Sequence, residues 1–243
     1  MKGIILAAGY ATRLYPLTLT MPKAMLEIGG KPIINYIADE LCGIDAIDEI
    51  FVVTNRKFEE FFFEWEKKYT FPKSVKVISD GTLTEDERLG AIGDIEYIIE
   101  KENIDDELLI IAGDNFFTYK LKDYYDFYKK KGCDCVCAKR MADKKKLTQM
   151  GVAILDENGR LTEIQEKPEH PKSDTAVFAS YIYTRDTCAS FKRYLEEGNK
   201  PDAPGYFLEW LYRKKEIYAY VFEEECYDIG TLDTYSYVRE KYR

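Results

Sequence analysis

The 243-residue chain holds a single histidine, His170, and no apolar run near the ~18 residues that a membrane-spanning helix needs. It lacks a P-loop: in Gly29-Gly30-Lys31-Pro32 a proline stands where Ser or Thr would hold a metal, and no glycine lies five residues before Gly30. No GxGxxG follows the first apolar run, which excludes a dinucleotide fingerprint. Basic residues are not in excess either. Thirty-five Lys and Arg against forty-four Asp and Glu leave a net charge of −9, so nucleic acid is not the expected partner and any anion must meet a local basic cluster.

No secretory signal precedes the first strand, since Met1-Lys2 leads directly into it, and a cytoplasmic protein without a membrane partner is expected. The six cysteines should then be reduced thiols. Cys133, Cys135 and Cys137 alternate, which predicts one buried strand face; with the lone histidine in a proline-flanked loop, zinc would be short of ligands. No repeat, low-complexity segment or linker interrupts the chain. One domain over 1–243 is expected.

What is present is concentrated near the start. Ile4 to Ala8 is a continuous apolar run bounded by Gly9, then some twenty residues without a sustained period of 3.6 or 2.0, the pattern of a buried strand feeding a long loop. The loop carries Gly9, Thr12, Arg13 and Lys23, stiffened by Pro16 and Pro22. Glycine admits close backbone approach, and a guanidinium with an ammonium spreads the charge of a polyphosphate, so the loop suits a nucleoside triphosphate. A basic surface loop without a ligand has the same composition.

Downstream, the periodicity predicts a helix from Pro32 to Cys42, a strand at 49–54, a helix at 56–69 and a strand at 75–78. A helix opening at Gly90 and a central strand at 108–112 follow. Strands alternating with helices indicate a doubly wound α/β layer. After the cysteine strand come two strands, 151–155 and 160–167, joined by Asp156-Glu157-Asn158-Gly159, then a strand at 176–184, helices at 186–197 and 204–214, and a strand at 217–222. The sheet should therefore be mixed. Asp114, at the C-terminal end of the central strand, lies where ligands bind in open α/β sheets.

The segments LAAGYATRLYPLT and MPKAMLEIGGKPII, in that order and spacing, resemble the signature of the sugar-1-phosphate nucleotidyltransferases, the nucleotide-sugar pyrophosphorylases, and of glucose-1-phosphate thymidylyltransferases in particular. Gly113-Asp114-Asn115, Glu166-Lys167-Pro168 and Asp228-Ile229-Gly230-Thr231 resemble further motifs of that family. The resemblance implies a three-layer, Rossmann-like (GT-A-like) α/β fold with a mixed, mostly parallel central sheet, its single domain divided into a nucleotide-binding half (1–140) and a sugar-phosphate-binding half (141–243). It implies transfer of a nucleotidyl group from dTTP or UTP, or from CTP, to a sugar-1-phosphate such as glucose-1-phosphate, with release of pyrophosphate.

In that reading Asp114 and Asp228 hold Mg²⁺. Arg13 holds the leaving pyrophosphate, Lys23 the α-phosphate and Lys167 the attacking phosphate. Leu6, Ala8, Gly9 and Gly90 meet the nucleotide, and Gly151, Glu166 and Tyr181 meet the sugar. Some positions depart from the family pattern: Met150 and Tyr227 replace a common tyrosine and tryptophan, Ala179 stands where glycine is frequent, and the loop before Gly90 is longer and more acidic. Self-association is left open. So are a cytidylyltransferase acting on phosphocholine, a non-catalytic nucleotide-sugar sensor and a GT-A glycosyltransferase.

Overall fold

The computed structural model describes residues 1–243. The first half runs β1 (Lys2–Leu6), the hairpin β2 (Glu27–Ile28) and β3 (Lys31–Pro32), α1 (Ile33–Cys42), β4 (Glu49–Thr54), α2 (Glu59–Lys68) and β5 (Ser74–Ser79). It continues with α3 (Ala91–Glu102), β6 (Leu108–Ala112), β7 (Asn115–Phe117), α4 (Leu121–Lys131) and β8 (Asp134–Arg140). The second half comprises α5 (Lys144–Leu147), β9 (Gly151–Leu155), β10 (Leu161–Glu166), β11 (Thr175–Tyr183), α6 (Arg185–Cys188) and α7 (Ser190–Glu196). It ends with α8 (Pro204–Leu211), β12 (Ile217–Val221), β13 (Cys226–Asp228) and α9 (Leu232–Lys241). The helix expected over 186–197 is thus two short helices.

The main sheet has the order β10-β9-β11-β6-β1-β4-β5, with β8 on the other edge of β11 and β12 beside β8. The pairings give β5, β4, β1, β6, β8, β12 and β9 one direction and β11 and β10 the other, which is the mixed, mostly parallel sheet expected. β11 joins the halves. Thr175–Val177 pair with β9 and Ser180–Tyr183 with β6, and the register against β8 shifts between Phe178 and Tyr181.

Alternation of apolar side chains along the central strands builds two cores. Ile5, Leu109 and Ile111 face a core closed by α1, α2, α4 and α9; Ile4, Leu108 and Ile110 face one closed by α3, α7 and α8. Strands buried on both faces explain why these runs are continuous in sequence. Each fully buried isoleucine contributes on the order of 1.5–3 kcal/mol of apolar transfer, which holds the strand ends in register at the site. Cys135 and Cys137 sit fully buried on one face of β8, whereas Cys133 precedes the strand and is only half-buried, so the expected stripe of three is a stripe of two. No helix is long and apolar enough to cross a membrane.

Candidate active site

The first strand delivers its loop to the C-terminal edge of the sheet. Gly113 N–H donates to the Leu6 carbonyl at 2.8 Å, and a Cβ on Gly113 would stand only 3.0 Å from that oxygen, so glycine is needed where β1 and β6 open. The loop is pinned from beneath: Asn55 Nδ2 donates to the Ala8 carbonyl at 2.8 Å, and Thr18 Oγ1 donates to the Ala11 carbonyl at 2.8 Å. A 3₁₀ turn over Lys23–Met25 then returns Lys23 to the sheet edge.

Two short strands decide the centre of the site. β7 follows Asp114 directly and pairs antiparallel with β13, setting Asn115 opposite Asp228. The Ile229 N–H donates to the Asp114 carbonyl at 3.0 Å. Neither strand was expected from the sequence: three-residue pieces show no period, and their pairing is long-range. The Lys23 ammonium is ion-paired with Asp114 and lies 3.9 Å from Asp228 Oδ1.

Although 57% of the Asp228 side chain faces the open cleft, protein crowded behind it and the adjacent Asp114 carboxylate push its carboxyl up to about 6. Lys23, Arg13 and Lys167 pull the other way. Cleft water tempers the effect of burial, and the carboxylate–carboxylate repulsion remains. No cluster of three or more Asp, Glu, His or Cys surrounds the spot. Two carboxylates fit Mg²⁺, which keeps most of its octahedral positions for water and phosphate oxygens.

The carboxylates mark the boundary between two cavities. One, of about 260 Å³, is lined by Leu6, Ala8, Gly9, Lys23, Gly90 and Asp114. The other, of about 730 Å³, is lined by Arg13, Lys146, Met150, Lys167, Phe178 and Asp228. Each cavity thus receives one of these two aspartates and at least one cation. Of the residues expected from the sequence, Leu6, Ala8, Gly9, Gly90 and Lys23 come together on the first side, and Arg13 and Lys167 on the second.

Three expected sugar contacts sit deeper. Tyr181 is buried and its ring stacks on Tyr183, with centroids 5.9 Å apart, and it lines neither cavity. Glu166 keeps only 7% of its side chain exposed; burial raises its carboxyl above the ordinary range, partly offset by Lys167, whose ammonium is 3.6 Å away. Gly151 packs behind it, 3.4 Å from Glu166 Oε2 by the position its Cβ would take.

Sequence reasoning missed Gly205, which settles where Glu166 points. A Cβ there would fall 1.8 Å from Glu166 Oε2 and 2.7 Å from its Cδ. The signal was present only as a Pro-Gly pair opening a helix. Gly205→Ala is expected to displace the Glu166 carboxylate and raise the KM for the acceptor roughly tenfold or more, with triphosphate affinity unchanged. Unchanged acceptor kinetics in a folded variant would remove Glu166 from acceptor binding.

The nucleotidyl transferase family model matches residues 2–243, and the chain belongs to that family. A Sulfolobus acidocaldarius protein, provisionally named a mannose-1-phosphate guanyltransferase, is 30% identical over 186 residues, covering 76% of this chain and 49% of its own. A UTP–glucose-1-phosphate uridylyltransferase from Haloferax volcanii is 29% identical over 184 residues, 76% of this chain and 72% of its own. A Bacillus anthracis structure in complex with a sucrose, provisionally titled a glucose-1-phosphate thymidylyltransferase, aligns with a TM-score of 0.76 and 25% identity, covering 100% of this chain and 95% of that one. The chain thus spans about half the length of the first of these relatives.

Proposed function

We propose that the chain transfers a nucleotidyl group from a nucleoside triphosphate to a sugar-1-phosphate, releasing pyrophosphate. The observation that carries this reading is the pair of aspartates at the junction of two cavities, with Lys23 between them, Arg13 beside Asp228 at the boundary and Lys167 on the acceptor side. A group passed between two polyanions needs such a junction: charge must be neutralised where the two ligands meet. The names of the relatives support a sugar-1-phosphate as acceptor, with glucose-1-phosphate the first to try. Those names differ in base, so the expectation of dTTP or UTP, with CTP next, rests on the sequence resemblance alone.

The nucleophile is a phosphate monoester, whose second pKa near ~6 leaves it anionic at neutral pH. No side chain need remove a proton from it, which suits a chain whose one histidine lies outside the motifs. Lys167 holds this phosphate. Lys23, freed from Asp114 when ligands enter, meets the α-phosphate, and Arg13 meets the departing pyrophosphate. The backbone around Ala8 and Gly9 borders the triphosphate and excludes water. Asp114 and Asp228 would hold Mg²⁺, which supplies Lewis-acid neutralisation of phosphate charge when bound.

Pyrophosphate release from dTTP, UTP, CTP, GTP and ATP, each against a panel of sugar-1-phosphates and phosphocholine, tests the reaction. One sugar-1-phosphate with one or two bases is the expected result. Turnover with phosphocholine alone, or none from folded protein that binds a triphosphate, would overturn the proposal. Chelation should abolish release and added Mg²⁺ restore it, with Asp228→Asn needing roughly tenfold more metal.

A further inference from the structure

The wall of the first cavity contains a buried acid that no transfer step uses. Asp94, on the first turn of α3, is 7% exposed, lines the cavity beside Gly90 and Ala91, and has an Oδ1 without a hydrogen-bond partner. Buried polar atoms are nearly always paired, so a lone acceptor in a ligand cavity points to a ligand donor. Two of the neighbouring backbone donors are already in use. Ala91 N–H donates to the Asp202 carbonyl at 3.2 Å and Ile92 N–H to the Pro201 carbonyl at 2.9 Å, so the Pro201–Asp202 segment already occupies both groups. Gly90, at φ +81, is held under it: a Cβ would stand 2.6 Å from the Pro201 oxygen.

The polarity of Asp94 is set by a chain of donors behind it. The Tyr10 hydroxyl and Thr82 Oγ1 are 3.0 Å apart. Thr82 donates to Asp80 from both its N–H, at 2.7 Å, and its hydroxyl, at 2.9 Å. The Asp80 and Asp94 carboxyls are close enough to share a proton. With Tyr10 giving its proton to Thr82 and Thr82 giving its own to Asp80, Asp80 is left an acceptor only, and the proton shared by the two acids belongs to Asp94. Burial, with Asp80 beside it, pushes the Asp94 carboxyl up to about 8, consistent with that assignment. The remaining oxygen, Oδ1, is then a pure acceptor directed by its fixed partner.

We propose that Asp94 selects the donor nucleotide by accepting a hydrogen bond from an exocyclic amino group of the base, so that the chain takes GTP, ATP or CTP in preference to UTP or dTTP. This rests on the triphosphate occupying the first cavity, as the proposed function has it. Guanine, adenine and cytosine each carry such an amino group. Uracil and thymine present their one edge N–H between two carbonyl oxygens, which meet a fixed acceptor with lone pairs. A site built around a hydrogen bond rejects a ligand that lacks the partner far more strongly than an apolar wall does. The dTTP or UTP expected by resemblance would thereby be the disfavoured donors.

Equilibrium binding of each of the five triphosphates by calorimetry, together with kcat/KM for pyrophosphate release, tests the proposal. In the wild type at least one amino-bearing triphosphate should bind about tenfold or more tightly than UTP and dTTP, and in Asp94→Ala the five should converge to within about threefold. Wild-type preference for UTP or dTTP would overturn the proposal even if no variant folds, and so would a preference that survives in folded Asp94→Ala. Base-selective binding without pyrophosphate release would instead overturn the transfer reaction and leave base selection standing.

Discussion

Replacing Lys23 with methionine is expected to lower the rate of pyrophosphate release by about 30- to 1000-fold with the fold intact, the ~2–4 kcal/mol typical of one transition-state charge contact. Lys23 is the cation that reaches both carboxylates at the cavity junction, and only 17% of its side chain is exposed. Methionine keeps the apolar stem and removes the charge. Without the ammonium, Asp114 and Asp228 lose the one cation that pairs with both, and Asp228, already pushed up to about 6, should take up a proton more readily. Thermal melting checks the fold and a pyrophosphate assay the rate. Lys31→Met is the control, because the Lys31–Asp39 pair lies at the surface, where such pairs contribute little. Near-normal turnover in Lys23→Met would remove Lys23 from the chemistry.

Asp94→Asn should be more stable than the wild type at pH 7.5 and indistinguishable from it near pH 4. Below its ordinary value of 3.8 the Asp94 carboxyl is protonated in both the folded and the unfolded chain and favours neither. Between 3.8 and about 8 the unfolded chain ionises while the folded one retains its proton, so the folded state binds more protons and stability falls as pH rises through that window. Each tenfold difference in proton affinity between the folded and unfolded chain is worth ~1.4 kcal/mol, which puts the contribution on the order of several kcal/mol at neutral pH. Asparagine has no proton to lose and can donate to Asp80. A gain in Tm of roughly 5 °C or more at pH 7.5, vanishing toward pH 4, is expected. A constant difference across the range would show that Asp94 does not titrate with folding. The neutral-pH stability given up at this position is the physical counterpart of its proposed role in base selection.

The parts of the fold that were legible share one property: their signal is local. β4 and β6 appear over the residues their apolar runs predicted, 49–54 and 108–112, and α1 ends at Cys42 as its apolar face indicated. The Gly9–Lys23 loop and the Asp114, Lys167 and Asp228 motifs were readable because each is a short arrangement of chemically distinctive residues. Gly90 was readable as a cavity residue, but not as the point where Pro201 closes over α3. The division of β11 between β9 and β6 was not legible, because a strand carries no mark of its partners. Asp94 read as one more polar residue of a helix, since an unpaired oxygen exists only relative to the groups around it.

By itself the sequence determined the alternation of strands and helices, the chemistry carried at each motif and the family to which the motifs belong, because backbone period and side-chain type are written residue by residue. Only the tertiary structure decided that β7 pairs with β13, setting Asp114 beside Asp228 across Lys23, and that Gly205 leaves room for Glu166. It also decided that the Asp80 and Asp94 carboxyls meet at the cavity wall. Each of these depends on distances between residues remote in the chain, and such distances are set by sheet pairing and close packing rather than by any local run of residues.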